Sequence, residues 1–288
     1  MSDAQAVIWV DGRRLASESA HVSGRDRGFT LADGVFETMK AHNGTVFRLD
    51  RHLSRIAAAL RLLAIPLPAE LRDWVDTAVR AAALPRTGIR LTVTRGVAPG
   101  GVTPPMDPQP TVVVTVGALP VFGAEVYAAG LRAHVASGRR NEHSMTAGLK
   151  TLSYTDSVAA MIEARAAGAD EALFLDTAGH CSEATASNLF AMIGGRLTTP
   201  PTSCAALPGI TRAAVMELAG AAGIPVDERP FALAEVMTAS EAFLTSSLRG
   251  VAPLVRMDAA AIGSGAPGPI TRQVMTAYAA LVERECGA

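Results

Sequence analysis

Residues 148–154 read GLKTLSY, and the third of them, Lys150, is unusual for this chain. Of the 26 lysines and arginines in the 288 residues, only Lys40 and Lys150 are lysine. Because the chain otherwise uses arginine for its cations, a retained lysine indicates chemistry that arginine cannot perform. A lysine can lose its proton and form a Schiff base with an aldehyde. We therefore predict that Lys150 is reactive and that Lys40, at the end of a strand-like run, lies at the surface.

The composition excludes several classes of protein. A formal net charge of −1 argues against nucleic-acid binding, which needs a concentrated basic face. No apolar run approaches the 18 residues of a membrane span. Residues 1–5 lack the layout of a signal peptide, so we expect a cytoplasmic protein with reduced thiols. The three cysteines lack the spacing of metal ligands, so no metal site is predicted: Cys181, Cys204 and Cys286.

Residue patterns predict an α/β (α+β) fold with two domains. Strand-like runs at 6–10, 34–40, 89–94 and 111–116, with helical periodicity from residue 50 to 83, indicate an antiparallel sheet with helices on one side. Residues 117–124 contain Pro120 and two glycines and are the expected linker. We expect a smaller N-terminal domain, 1–119, and a larger C-terminal domain, 120–288, that carries Lys150. A cleft between the two domains is the expected position of the site.

Four further segments suit the binding of charged groups. Glu183 lies in a run of small residues, 181–190, where a buried carboxylate needs a partner; an exposed turn glutamate is the alternative. Residues 207–212 open a helix and residues 245–250 offer hydroxyls and turn amides, and both arrangements favour an anion. Arg55 shares a helix face with His52 and has the fork geometry that holds a phosphate, although a surface arginine shows the same pattern.

Six blocks, taken in order, resemble the fold-type IV pyridoxal-phosphate enzymes. That family includes branched-chain aminotransferases, D-amino acid aminotransferases and 4-amino-4-deoxychorismate lyases. The resemblance extends from about Val7 to Val255. The blocks are Arg27-Gly28 with Asp33-Gly34-Val35-Phe36-Glu37, His52-x-x-Arg55, Leu149-Lys150-Thr151-Leu152, Ser182-Glu183-Ala184 with Asn188-Leu189-Phe190, Leu207-Pro208-Gly209-Ile210-Thr211-Arg212, and Ser246-Ser247-Leu248-Arg249-Gly250.

The resemblance implies pyridoxal 5'-phosphate as cofactor and assigns roles to these residues. Lys150 becomes the lysine that forms the Schiff base and transfers protons, and Glu183 becomes the partner of the pyridine nitrogen. The predicted phosphate ligands are Arg55, Ile210, Thr211 and Ser247. The predicted substrate contacts are Phe36, Arg90, Leu248 and Arg249. The family also implies an amino acid and a 2-keto acid as substrates, and a homodimer.

The same residues leave the subfamily open. Residues 207–212 and Arg90 resemble the branched-chain aminotransferases, whereas Ser187 replaces a second glutamate of that subfamily. Residues 150–153 and 247–250 resemble the lyases and D-amino acid enzymes, yet residues 99–102 lack the Arg-x-His of D-amino acid enzymes. We expect an aminotransferase for branched-chain or other apolar amino acids, of L or D configuration. The alternative is a 4-amino-4-deoxychorismate lyase, which releases pyruvate and forms 4-aminobenzoate.

Overall fold

The computed structural model of this chain describes residues 6–16 and 20–287, so residues 1–5, on which the signal-peptide expectation rests, lie outside it. Contacts between Cα atoms divide the chain into two compact units. Unit 1 contains residues 1–120, 149–153 and 282–288, and unit 2 contains residues 121–148 and 154–281. From the sequence, we expected Lys150 to belong to the C-terminal domain, 120–288. The structure instead places residues 149–153 in unit 1, because they form backbone hydrogen bonds with one of its strands.

Unit 1 is built on an antiparallel sheet. Within residues 6–16 and 20–120, six strands pair in the order β2-β1-β6-β5-β3-β4. Asn43 and Gly44, both with positive φ, form the predicted tight turn between β3 and β4. The strands are β1 Val7–Val10, β2 Arg13–Leu15, β3 Gly34–His42, β4 Thr45–Val46, β5 Arg86–Thr94 and β6 Thr111–Ala118.

The two longer helices of unit 1 bury apolar side chains against this sheet. Ile56 and Leu60 of one helix and Val75 of the next belong to the same buried cluster as Met39 and Ile89 of the sheet. The spacing of these helical residues, three or four apart, is what the sequence periodicity indicated. The helices are α1 Arg27–Leu31, α2 Leu49–Leu62 and α3 Leu71–Ala82.

Lys40 is not at the surface, so that prediction was wrong. The residue is only 7% exposed, because both faces of β3 are largely covered. The pKa of its amine is lowered from 10.5 to about 8. Burial is the largest cause; Cys286 opposes it, and the charge of Arg86 adds to it. A buried amine that holds its proton weakly is a structural feature of unit 1 that the sequence did not indicate.

The lowered pKa of Lys40 predicts how the free energy of unfolding changes with pH. Between pH 8 and 10.5 the unfolded chain holds the Lys40 proton more tightly than the folded chain does, so the free energy of unfolding should rise with pH. The full change is about 3 kcal/mol at 1.36 kcal/mol per pKa unit. Urea unfolding of the wild type and of Lys40→Met across this range measures it. The difference between the two proteins should change with pH, and a constant difference would contradict the assignment.

Unit 2 is built on a mixed sheet that closes on itself. Among its described residues the strands follow the order β12-β11-β10-β13-β14-β7-β8-β9, and β9 pairs again with β10. That last pairing joins Glu183 to Asn188 in register. The strands are β7 Leu131–Arg140, β8 Glu171–Asp176, β9 Cys181–Ala184, β10 Asn188–Ile193, β11 Arg196–Thr199, β12 Val226–Glu228, β13 Ala242–Ser246, β14 Gly250–Met257 and β15 Ala260–Ala261.

Helices and short turns complete unit 2. Its core is apolar, and Phe190 stacks on Phe243 with ring centroids 5.0 Å apart. In the part of the chain that the structure describes, no helix combines the length and apolar character that a membrane crossing requires. The helices are α4 Ala124–Ala129, α5 Thr155–Ala166, α6 Ile210–Ala221, α7 Leu233–Met237 and α8 Pro269–Glu285, of which residues 282–285 belong to unit 1, and residues 202–204 form a 3-10 turn.

Candidate active site

Lys150 lies in the extended segment 149–153 of unit 1, beside the start of β3. The Phe36 N–H donates to the Lys150 carbonyl at 2.9 Å, and the Leu152 N–H donates to the Gly34 carbonyl at 3.1 Å. These two hydrogen bonds fix the main chain on both sides of the lysine. The position of the Lys150 side chain is therefore set by the edge of a sheet rather than by a mobile loop.

Two cationic side chains, those of Lys150 and Arg90, lie near the ring of Phe36. The Lys150 Nζ lies 4.4 Å from the centroid of this ring, and the Arg90 guanidinium carbon lies 3.8 Å from it. Phe36 itself is buried, whereas Arg90 is exposed and covers it. Both contacts are of the cation–π type, which favours a cation over the face of an aromatic ring. Unit 1 thus brings together three of the predicted site residues.

A buried ion cluster holds Arg55. Glu37, 1% exposed, accepts hydrogen bonds from Arg55 Nε at 2.7 Å and from Arg55 Nη2 at 2.6 Å. The Nδ1 of His52 lies 2.7 Å from the same carboxylate. The helical spacing predicted that His52 and Arg55 share a helix face. Glu37 ends the first sequence block, but no role was predicted for it. The planar fork of Arg55 is fixed in direction by this carboxylate.

The cluster sets the charge of its members. Burial alone would raise the pKa of Glu37, but hydrogen bonds from His52 and Arg55 hold it at about 2. Burial lowers the pKa of His52 despite the Glu37 carboxylate, and the charges of Arg55 and Lys150 lower it further. Because an ionised carboxylate only accepts, we assign the proton of the neutral His52 ring to Nδ1. Glu37 and Arg55 form a charged pair at neutral pH.

Removal of Arg55 should therefore destabilise the fold. We expect Arg55→Ala to lower the free energy of unfolding by about 3–5 kcal/mol, since it leaves the Glu37 carboxylate buried with only His52. Arg51→Ala is the matched control, because Arg51 is an exposed arginine of the same helix, α2. Urea unfolding of both variants at pH 7 makes the comparison. Equal losses in the two variants would refute the role of the ion cluster.

In unit 2, Glu183 is held by N–H donors. Its Oε2 accepts from the Leu207 N–H at 2.9 Å and from Asn188 Nδ2 at 3.4 Å, and Arg140 Nη2 lies 3.6 Å from its Oε1. Asn188 Nδ2 also donates to the Leu207 carbonyl at 2.9 Å. The carboxylate is only 15% exposed, so of the two alternatives the structure favours the partnered glutamate. Asn188 stood inside a sequence block, whereas nothing in the sequence indicated Arg140.

The predicted phosphate segment begins α6. Gly209 precedes the helix, no side chain caps the helix, and its first turn carries no acidic residue. A Cβ on Gly209 would lie 2.0 Å from Asn188 Oδ1, so any other residue there would displace the Asn188 side chain. The first amides of a helix have no partner within the helix and attract anions. Ile210 and Thr211 supply these amides, and Arg212 binds the Pro200 carbonyl through its side chain at 2.9 Å.

The predicted substrate turn, Leu248-Arg249, lies between β13 and β14. The Arg249 carbonyl accepts from the Tyr127 hydroxyl at 2.9 Å. The Arg249 side chain lies 3.8 Å from Glu171 and 5.0 Å from the centroid of the Phe122 ring. Glu171 is itself buried and accepts from Thr185. The side chain of Arg249 therefore makes its contacts inside unit 2.

Comparison with known proteins identifies the family. The family model described as "Amino-transferase class IV" matches residues 34–257. The chain belongs to the class IV aminotransferases. A relative from Salmonella typhimurium, named branched-chain-amino-acid aminotransferase, is 31% identical over 96% of this chain and 93% of its own length. The fold-type IV resemblance carried by the six sequence blocks is confirmed.

Solved structures agree with the fold. A branched-chain aminotransferase from Thermoproteus uzoniensis, crystallised with norvaline, superposes with a TM-score of 0.86 at 30% identity and covers 97% of this chain and 95% of its own. A 4-amino-4-deoxychorismate lyase from Pseudomonas aeruginosa superposes with a TM-score of 0.85 at 34% identity and covers 94% of this chain and 97% of its own. The α/β fold class is confirmed. Two of the three subfamilies that the six blocks resemble, the branched-chain aminotransferases and the 4-amino-4-deoxychorismate lyases, occur among the similar structures.

Proposed function

We propose that this class IV aminotransferase transfers an amino group between a branched-chain or other apolar amino acid and a 2-keto acid, with pyridoxal 5'-phosphate bound to Lys150. The observation that carries the proposal is the Lys150 amine, which lies 4.4 Å from the centroid of the Phe36 ring beside the start of β3, with the Arg90 guanidinium over the same ring. An aromatic ring that an amine and a guanidinium both contact suits a substrate with an apolar side chain and a carboxylate. The branched-chain aminotransferases among the similar proteins support this substrate class.

The residues present fit the cofactor by the chemistry of their donors. The amine of Lys150 suits an aldehyde, and the Glu183 carboxylate, oriented by N–H donors, suits a protonated ring nitrogen. The uncapped start of α6, where a Cβ on Gly209 does not fit, suits a phosphate. We propose that the phosphate ligands are Arg55, the amides of Ile210 and Thr211, and Ser247.

Each residue then has one task in the reaction. The cofactor supplies an aldehyde that bonds to amines and a ring that withdraws electrons from the α-carbon of the substrate. Lys150 Nζ takes the proton from that α-carbon and, once protonated, returns a proton. Glu183 holds the proton of the ring nitrogen. The backbone amides of Leu248 and Arg249 bind the substrate carboxylate.

The second candidate function is 4-amino-4-deoxychorismate lyase. The lyase structure from Pseudomonas aeruginosa shares 34% of its residues with this chain, more than the 30% of the Thermoproteus uzoniensis aminotransferase. As a lyase, this chain would use Lys150 for the first proton transfer and then expel pyruvate. The two functions therefore differ in the fate of the amino group, which an assay can follow.

The test supplies the purified enzyme with one amino donor and no acceptor. An aminotransferase converts the cofactor to pyridoxamine 5'-phosphate, seen as a change in absorption, with one equivalent of keto acid released. L- and D-forms of leucine, valine and alanine give the stereochemical preference. Rapid release of pyruvate from aminodeoxychorismate, without conversion of the cofactor by any donor, would replace the proposal by the lyase. Failure of borohydride to fix the cofactor on Lys150 would refute both functions.

We also propose a homodimer in the cytoplasm. The cysteines of the chain are buried, free thiols, as expected in a reducing compartment: Cys181, Cys204 and Cys286. The proposal of a homodimer is based on the family to which the chain belongs. Light scattering on the purified protein should give twice the chain mass of 29.8 kDa. A mass of one chain at micromolar concentration would refute the dimer.

A further inference from the structure

A cluster of three potential metal ligands lies in unit 2, outside the residues assigned to the reaction. Asp176 ends β8, His180 immediately precedes β9, and Cys204 ends the 3-10 turn. One ligand atom of each lies within 4.8 Å of the others. Among the described residues, this is the one such group of histidine, cysteine and acidic side chains. Sequence spacing did not indicate it, because the cysteine comes from a different segment of the chain.

The turn between β8 and β9 positions two of the ligands in advance. The His180 N–H donates to Asp176 Oδ1 at 2.8 Å, and the Asp176 N–H donates to the His180 carbonyl at 2.8 Å. The His180 Nδ1 lies 3.3 Å from Asp176 Oδ2. Two ligands of a tetrahedral zinc ion, each at about 2.0 Å, are about 3.3 Å apart. The histidine and the carboxylate are therefore already at the separation that such an ion needs.

The donor set and its burial select the kind of ion. A thiolate, an imidazole and a carboxylate suit a thiophilic divalent cation, whereas magnesium and calcium prefer oxygen ligands. Asp176 and Cys204 are each 2% exposed, and the side chain of His180 is 42% exposed, which leaves one side open to solvent. The charges of one thiolate and one carboxylate balance a divalent ion. The pair His134 and Asp258 has the same two groups 2.6 Å apart but is not part of such a cluster.

We propose that Asp176, His180 and Cys204 bind one thiophilic divalent cation, such as Zn²⁺, with water at the fourth position. The ion would join the β8–β9 turn to the segment that leads to Leu207. Glu183 follows His180 by three residues on β9, and the Leu207 N–H donates to Glu183. The ion would therefore stiffen both elements that orient this carboxylate. That consequence rests on the proposed function, whereas binding of the ion does not.

The experiment measures metal content without reference to turnover. Cofactor-loaded enzyme, treated with a chelator under reducing conditions, is dialysed against graded ZnCl₂ and analysed by mass spectrometry of its metal. We expect one Zn²⁺ per chain and an affinity lower by at least about tenfold in Cys204→Ser and in His180→Gln. His134→Gln and Cys286→Ser are matched controls, each of which removes one histidine or thiol outside the cluster. Both controls should bind like the wild type.

Cobalt binding to the wild type is a second measurement, and it does not depend on whether a variant folds. Co²⁺ bound to the wild type should show the absorption of a thiolate-to-metal charge transfer and of a tetrahedral site. Zn²⁺ should also raise the Tm of the wild type. Absence of Zn²⁺ binding at submillimolar concentration, or binding without the thiolate band, overturns the proposal. Equal affinity in the wild type and in either ligand variant means an adventitious ion only and also overturns it.

Discussion

Lys150→Arg should abolish transamination, with kcat lower by about 10³-fold or more, in a protein that still folds. Arginine keeps the positive charge and can keep the cation–π contact with Phe36, so the local packing has little reason to change. It cannot give up its proton at neutral pH and cannot bond to an aldehyde. The loss therefore measures amine chemistry rather than charge. Steady-state assays and circular dichroism on the two proteins test both parts of this prediction.

Lys40→Met is the matched control, since it removes the only other lysine of the chain. Methionine fills the buried volume without a charge that needs solvation, so turnover should stay within about twofold of the wild type. Borohydride reduction followed by peptide mapping should locate the cofactor on residue 150 in the wild type and in Lys40→Met. Retention of more than about a tenth of the wild-type turnover by Lys150→Arg would contradict the assigned role of the lysine.

The sequence could indicate Lys150 as the proposed reactive residue because the proposed chemistry depends on residue type. Lysine in an arginine-rich chain and the surrounding block indicated Lys150, and the structure places it over the ring of Phe36, which Arg90 also contacts. The cluster of Glu37 with Arg55 was not predicted. Its members come from a strand and a helix that periodicity locates separately, and only packing brings them within hydrogen-bond distance.

Two features of the fold differ from what the sequence indicated, each for a physical reason. Lys40 was expected at the surface because the end of a strand is commonly solvated, but both faces of β3 are covered, so alternation gives no information there. No strand was predicted from the sequence at residues 250–257, where the structure has β14, and Pro253 is unusual in a strand interior. The structure accommodates this proline in register with Phe243, beside an irregularity between Leu254 and Arg256.

Glu183→Gln should lower kcat by about 10²–10³-fold with little effect on folding. Glutamine has the same shape, and its carbonyl oxygen can still accept from the Leu207 N–H and from Asn188 Nδ2. It carries no negative charge, so it cannot keep a proton on the ring nitrogen of the cofactor, and the ring withdraws electrons less effectively. The pH dependence of the cofactor absorption should also change. A structural role of Glu183 would leave that absorption unaltered.

Glu217→Gln is the matched control for this change, because Glu217 is an exposed carboxylate on α6 of the same unit. It should alter neither kcat nor the absorption of the cofactor. Cofactor affinity, measured by fluorescence titration, should fall in Glu183→Gln and stay constant in the control. The two substitutions make the same change in net charge, so a difference between them reports the position of the carboxylate. If kcat falls equally in both, Glu183 does not act on the ring nitrogen.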